Sequence, residues 1–317
     1  MAEPIFVVGH KNPDNDSIAS AVAYAYLKNA LNRRAIEEGQ QVEEVVYLPV
    51  CLGSVPAESA WVLAENGFET PALIQSVQPG QKLVLVDHNE AQQAVDGLEE
   101  ADLLTIIDHH RIGSITTNNP IEFINLPWGS TATIITVLFR QLDVPICKEI
   151  GCVLLSAILT DTVITKSPTT TDTDREQIAY LSARIGVDAT EYGLRLFACR
   201  SSEDEMAIEE LVCADSKEFK LGTSTVLIAQ RETVNLKGVM AREEEMRAHL
   251  RTLIEAKGYE FALLLVTDII AEGSQFLVEG DPSMVQRVFN ITCQPGGTWM
   301  PGVLSRKKQV AAPLLGA

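Results

Sequence analysis

A chain of 317 residues with 46% apolar side chains can bury two domain cores, and none of its apolar runs reaches the ~18 residues that a membrane-spanning helix needs. Its formal net charge of −18 repels nucleic-acid backbones and anionic lipid surfaces, so neither is an expected partner, whereas a small anion met by metal ions and a few basic side chains remains possible. Cys51, Cys147, Cys152, Cys199, Cys213 and Cys293 form no C-x-x-C pair, and Met1–Pro4 starts no basic-then-apolar leader; both point to a reducing, cytoplasmic setting.

In chain order, Ile5–Val8 reads as a buried strand and Ile18–Leu31 as a helix. Between them lies Gly9-His10-Lys11-Asn12-Pro13-Asp14-Asn15-Asp16-Ser17. His10, Asp14 and Asp16 therefore sit on the turn after a strand, at the edge where open parallel sheets bind ligands. Imidazole and carboxylate without thiolate suit Mn²⁺, Co²⁺ or Mg²⁺. Further strands are expected at Glu44–Tyr47, Lys82–Val86 and Leu103–Ile107. The second of these runs into Asp87-His88 and the third into Asp108-His109-His110. An acid at a strand end often does no more than cap the following helix. Three strands ending in acid with a histidine nearby form a stronger pattern, because parallel strands end on one side of a sheet.

Helices are expected over Thr131–Leu142, Gly151–Leu159 and Asp174–Cys199. Gly151–Leu159 is apolar almost all round and so belongs inside. Asp161 follows it, and a charge at the end of a buried helix needs a partner. This alternation predicts an α/β fold with a parallel sheet and helices on both faces. Arg200–Glu205 is polar and hinge-like. Beyond it the pattern restarts with strands at Ser224–Ala229 and Phe261–Thr267 and a helix at Ala241–Ala256. Pro295-Gly296-Gly297 and Pro301-Gly302 then break the chain into loops before Ser305-Arg306-Lys307-Lys308-Gln309. Residues 1–195 are the expected metal-binding catalytic domain and 200–317 a smaller α/β substrate domain, with the active site in the cleft between them. His249 lies in a charged helix and is expected on the surface.

Charge limits what the cluster can do. Asp14, Asp16, Asp87 and Asp161 bring four negative charges, which without compensation would repel until some protonated. Two divalent ions neutralise them. With His10 and His109 the set is too large for one ion that keeps positions open for water. It suits two ions sharing one carboxylate, roughly 3.5–4 Å apart, with a water between them whose pKa falls toward ~7.

These motifs resemble those of the DHH phosphoesterases, named for the Asp-His-His found here at Asp108-His109-His110, and in particular the manganese- or cobalt-dependent family II inorganic pyrophosphatases. The similar stretches are Gly9–Ser17, Val86–Glu90, Asp108–Arg111, Lys166–Thr169 and Pro301–Gln309, spread in order over almost the whole chain. Ser305–Gln309 discriminates most, because exonucleases of the superfamily end in a Gly-Gly-Gly-His loop where this chain has Gly296-Gly297-Thr298. Asn15 and Thr162 depart from the usual Thr and Ser, neither at a ligand position. The resemblance implies hydrolysis of pyrophosphate to two phosphates by a hydroxide bridging two Mn²⁺ (Co²⁺ as a substitute), with Mg²⁺ accompanying the substrate. It implies one ion on His10, Asp14 and Asp87 and the other on Asp16, Asp87, His109 and Asp161, with Asp108 orienting an imidazole. His110, Lys217, Arg306 and Lys307 take the phosphate-binding positions, and His110 or a metal-bound water protonates the leaving phosphate. A homodimer through the N-terminal domain is also implied. His88 and Lys308 are left without an assigned role. Another phosphohydrolase of the superfamily, acting on short polyphosphate or small nucleotides, is the alternative; the Arg306-Lys307 pair disfavours a nucleoside-binding pocket.

Overall fold

The expected run of apolar strands becomes a six-stranded sheet in the computed structural model, which describes residues 3–199, 206–213, 215–222 and 224–316. The chain divides into two compact units, Met1–Arg200 and Ser201–Ala317. In the first, β1 (Ile5–Lys11), β2 (Tyr47–Leu52), β3 (Ala72–Leu73), β4 (Lys82–Val86), β5 (Asp102–Asp108) and β6 (Glu122–Asn125) lie in the order β3-β2-β1-β4-β5-β6. All pairings are parallel. The chain builds outward from β1 to β3, then returns to lay β4 on the other side of β1. That reversal is the switch point at which such sheets open a crevice for ligands.

The helices are α1 (Asn15–Glu37), α2 (Ala57–Glu65), α3 (Thr131–Gln141), α4 (Lys148–Asp161), α5 (Asp172–Ile185) and α6 (Ala189–Cys199). Every residue of α4 from Ile150 to Thr160 is buried, because α1, α3, α5 and α6 all pack around it. Full burial of each Leu or Ile there contributes about 1.5–3 kcal/mol. Ala19, Ala21, Ala23 and Ala25 on α1 are buried too, and small side chains let helices approach closely. The opposite sheet face, with Val8, Val50, Leu85 and Ile106, is covered more lightly by Ile74, Ile115, Ile121 and Leu98 of a single 3₁₀ turn.

The second unit is a smaller α/β domain with a mixed sheet. β7 (Ser216–Leu221), β8 (Ser224–Thr233), β9 (Phe261–Asp268), β10 (Gly273–Gly280) and β11 (Thr298–Pro301) lie in the order β11-β10-β9-β8-β7. Among the described strands of this sheet only β8 and β9 pair in parallel. Around them stand α7 (Ile208–Cys213), α8 (Leu236–Met240), α9 (Glu243–Lys257), α10 (Ser283–Phe289) and α11 (Ala312–Leu315). Both faces of β9 are packed, which explains its unbroken apolar run. Ala262, Leu264 and Val266 meet Met246 and Leu250 of α9. Leu263 and Leu265 meet Val285, Val310 and Leu314.

Two expectations shift. The strand placed at Glu44–Tyr47 is Tyr47–Leu52; Pro49 reads as a strand breaker, yet it is tolerated because β3 reaches only Val50 and Cys51 beside it. The helix over Asp174–Cys199 is two helices, because Gly186 adopts φ 73° and ends α5. The polar segment Arg200–Glu205 lies outside the described residues. Among the described residues no helix is long and apolar enough to cross a membrane.

Candidate metal centre

Because β1, β4 and β5 are neighbours and parallel, their carboxyl ends bring His10, Asp87 and Asp108 together. Gly9 makes the first approach possible. A Cβ there would overlap the Ser17 hydroxyl, which instead accepts the His10 amide at 3.0 Å. His10 Nδ1 lies 2.8 Å from the Lys11 carbonyl. A carbonyl only accepts, so Nδ1 carries the proton and Nε2 is free to ligate. Nε2 stands 3.6 Å from Asp14 Oδ1 and 3.5 Å from Asp87 Oδ2. Asp14 caps α1, accepting the Ser17 amide at 2.9 Å. Asp16, in the first turn of α1, is buried.

Asp87 is the hub. Its backbone is left-handed, at φ 64°, a region uncommon outside glycine and tolerated best by Asp and Asn. It is 1% exposed. Its Oδ1 lies 3.4 Å from His109 Nε2 and accepts the Thr131 hydroxyl at 3.0 Å, while its buried Oδ2 has no hydrogen-bond partner. His109 Nδ1 donates to the Trp128 carbonyl at 3.0 Å, and its Nε2 is 3.8 Å from Asp161 Oδ2. Asp161 closes α4, and after Thr162 the residues Val163, Ile164 and Thr165 have φ of 48°, 50° and 66°. Three β-branched residues in left-handed backbone cost on the order of 1–2 kcal/mol each, strain stored beside the cluster.

Asp108 is tied to its own turn and to Asn89. Its Oδ1 accepts the amides of His109 (2.8 Å) and His110 (3.1 Å) and lies 2.9 Å from His110 Nδ1. It orients His110, which is 54% exposed at the side chain. Asn89 ties this turn down, donating to Asp108 Oδ2 and to the Arg111 carbonyl and accepting the Gly113 amide. His88 is buried with Nδ1 on the Val86 carbonyl at 2.9 Å, and burial depresses its pKa. It packs edge-on against His10, ring centroids 6.4 Å apart. Asn15 is buried as well, donating to Ser156 and Thr160 of α4 and accepting from Ser59 of α2.

The cluster is short of positive charge. Burial and then the Asp87 charge push Asp16 up to about 7. Burial, followed by the Asp16 and Asp87 charges, raises Asp161 well above the carboxylate range. Burial alone would lower His10, but the Asp14 and Asp87 carboxylates outweigh it and raise it to about 11. His109, beside Asp87 and Asp16, rises against burial to about 9. Burial works against Asp87 ionising, yet His10 and His109 hold its pKa well below the usual range. Protons thus stand where cations would. Among the described residues, three sets have ligand atoms within 4.8 Å of one another: His10, Asp14 and Asp87; Asp16, Asp87, His109 and Asp161; and Asp87, His109 and His110. The donors are nitrogen and oxygen only, fitting Mn²⁺, Co²⁺ or Mg²⁺, and the orphaned Asp87 Oδ2 fits a cation's need for a bare carboxylate oxygen. Adding Mn²⁺ to metal-free protein near pH 7 is therefore expected to release protons, and affinity should fall as pH drops. A pH-indicator titration checks this; binding without proton release would contradict it.

In the second unit, Arg306 Nη2 pairs with Asp215 Oδ1 at 2.6 Å, and Nη1 donates to the Ile228 carbonyl at 3.2 Å. Lys217 on β7 lies opposite Ile228 in the β8 register, the residue whose carbonyl Arg306 also reaches. Gln230 Oε1 accepts the Arg306 amide at 3.0 Å, and its Nε2 donates to Thr267 and to the Leu304 carbonyl. Gln309 accepts the Leu304 and Ser305 amides. Lys307 and Lys308 are exposed. Asp215 and Gln230 escaped the sequence reading; a lone Gln after the apolar run Val226–Ala229 was the available signal. His249 is partly buried, its Nε2 3.8 Å from Cys213 Sγ, and not simply on the surface.

Comparison with known proteins agrees over the full chain. The family model described as DHH family, N-terminal domain, matches residues 4–158, and the DHHA2 domain matches residues 194–317. An Archaeoglobus fulgidus protein named "Probable manganese-dependent inorganic pyrophosphatase" is 40% identical, covering 99% of this chain and 98% of its own length. The Bacillus subtilis manganese-dependent inorganic pyrophosphatase is 38% identical, with 99% of each covered. A crystal structure of a family II inorganic pyrophosphatase from Methanococcus jannaschii superposes with a TM-score of 0.60 at 36% identity, covering 98% of both chains.

Proposed function

The chain belongs to the DHH family and, within it, to the manganese-dependent family II inorganic pyrophosphatases, and from that membership we propose that it hydrolyses pyrophosphate to two phosphates at the cluster centred on Asp87. One observation carries the reading: a buried carboxylate in left-handed backbone, flanked by the Nε2 atoms of His10 and His109, with one oxygen unpartnered.

His10, Asp14 and Asp87 would hold one Mn²⁺, and Asp16, Asp87, His109 and Asp161 a second, with Asp87 shared. Co²⁺ suits the same donors, and Mg²⁺ suits the substrate's phosphate oxygens. When bound, such ions lower the pKa of a coordinated water toward ~7 and draw charge from a phosphoryl group. The protein supplies the rest. His110 is exposed and rests on Asp108, whose carboxylate raises its pKa. Asp108 holds it as the imidazolium until it hands a proton to the leaving phosphate and becomes neutral. Lys217, Arg306 and Lys307 meet phosphate charge, Arg306 with its fork preset by Asp215.

The six unpaired cysteines support a reducing cytoplasm. The protein is a homodimer built through its first unit in this reading, and gel filtration with light scattering tests that mass. Substrate choice is tested by phosphate release from pyrophosphate, tripolyphosphate and a dinucleoside polyphosphate with Mn²⁺ present. Pyrophosphate is expected to turn over fastest by a wide margin. Faster turnover of either other compound would assign the chain to the superfamily's other chemistry.

A further inference from the structure

Three side chains from three different elements converge on one short segment, residues 128–132, that leads into α3. The Trp128 carbonyl accepts His109 Nδ1–H at 3.0 Å. The Ser130 hydroxyl donates to Asp16 Oδ1 at 2.9 Å, the Thr131 amide to Asp16 Oδ2 at 2.6 Å and the Ala132 amide to Asp16 Oδ1 at 3.0 Å. The Thr131 hydroxyl donates to Asp87 Oδ1 at 3.0 Å. Asp16 comes from α1, Asp87 from the end of β4 and His109 from the end of β5.

The segment is itself held from behind. Asp174, buried in the first turn of α5, accepts the Gly129 amide at 2.9 Å and the Thr133 hydroxyl at 2.6 Å. Gly129 has to be glycine for this approach: a Cβ would lie 2.8 Å from Asp174 Oδ2 and 2.9 Å from Thr162 Cγ2, next to Asp161.

Ordinary capping does not account for the pattern. Ser130 is the N-cap of α3 and accepts the Ala132 amide at 3.1 Å, which would satisfy a free-standing helix. Here the Thr131 and Ala132 amides are also spent on a carboxylate from another helix. Two amides and a hydroxyl fix both oxygens of Asp16, and one hydroxyl fixes the Oδ1 side of Asp87, leaving its Oδ2 bare. Such partners orient ligands that could otherwise rotate.

We propose that Thr131, backed by the Gly129–Asp174 contact, is a positioning residue that sets the affinity of the ion on Asp16, Asp87, His109 and Asp161, with little effect on the ion on His10, Asp14 and Asp87. The inference rests on the ligand assignment above. Thr131 touches neither substrate nor the reacting atoms in this account; its hydroxyl acts through Asp87 Oδ1, the oxygen that faces His109 while Oδ2 faces His10, and its amide acts through Asp16.

The test is Mn²⁺ binding to metal-free full-length protein by calorimetry, with stoichiometry from equilibrium dialysis. Thr131→Val removes the hydroxyl at nearly constant shape and keeps the amide. One class of site should weaken by about 10–100-fold, as for loss of a ligand-orienting partner, while the other class holds its affinity. Thr131→Ser should restore the weak site. With Thr131→Val, kcat should fall at low Mn²⁺ and recover in excess, with KM for pyrophosphate at saturating Mn²⁺ unchanged. Unchanged binding at both sites, equal weakening of both, or no rescue by Ser would overturn the proposal. Asp16→Asn separates the two layers of argument. If that variant binds Mn²⁺ as wild type does, the ligand assignment itself falls. If it loses one site while Thr131→Val loses none, only the positioning role falls.

Discussion

Replacing Asp87 with Asn is expected to lower pyrophosphate hydrolysis by a factor of several hundred or more and to weaken both metal sites together. Asn keeps the shape and the left-handed turn at φ 64° but removes the one charge that His10 and His109 both face. Breaking a buried charge pair by removing one partner costs about 3–5 kcal/mol, and each ~1.4 kcal/mol in a barrier is tenfold in rate, so on the order of 10²–10³-fold is the floor. Metal content by atomic absorption and turnover on the same sample check it. A variant with two bound ions and near-wild-type turnover would mean that Asp87 is shared by neither.

Arg306→Ala has the second-largest expected effect and a different signature. Arg306 contacts Asp215, the Ile228 carbonyl and Gln230, all within its own unit. Its loss should leave metal content intact while raising KM and lowering kcat. A charge-assisted hydrogen bond to phosphate is worth about 1.5–3 kcal/mol, so kcat/KM should drop by roughly 10–100-fold. Lys at this position should rescue only partly, because an ammonium cannot reproduce the forked guanidinium. Lys307→Ala should act in the same direction and more weakly, since its flexible ammonium is exposed. Unchanged kinetics in both variants would remove this basic pair from the phosphate path.

Much of the metal cluster could be read from residue types alone. His10, Asp87 and Asp108-His109 stand at the ends of apolar runs, and parallel strands must end on one side. Asp161 stood out as a charge closing an apolar helix. What stayed hidden is what residue types do not encode. The 128–132 segment acts through amides and a carbonyl, which any sequence could offer. Asp215 and Gln230 meet Arg306 across 91 and 76 residues, a pairing that only the sheet register creates. β2 lies further along than Glu44–Tyr47, and its Pro49, a strand breaker in most settings, is harmless beside a two-residue neighbour such as β3. The junction between α5 and α6 turned on Gly186 taking a left-handed conformation, which a continuous amphipathic pattern disguised.

The central claim is that a cluster of carboxylates and imidazoles around Asp87 becomes a pyrophosphatase when it takes up manganese. The most direct measurement is phosphate release from pyrophosphate by chelator-stripped protein as Mn²⁺ is titrated back. The account predicts negligible release before the ion is added, a rise that saturates as the sites fill, and no such rise for Asp87→Asn. Full turnover in the stripped protein, or none after Mn²⁺ is bound, would contradict it.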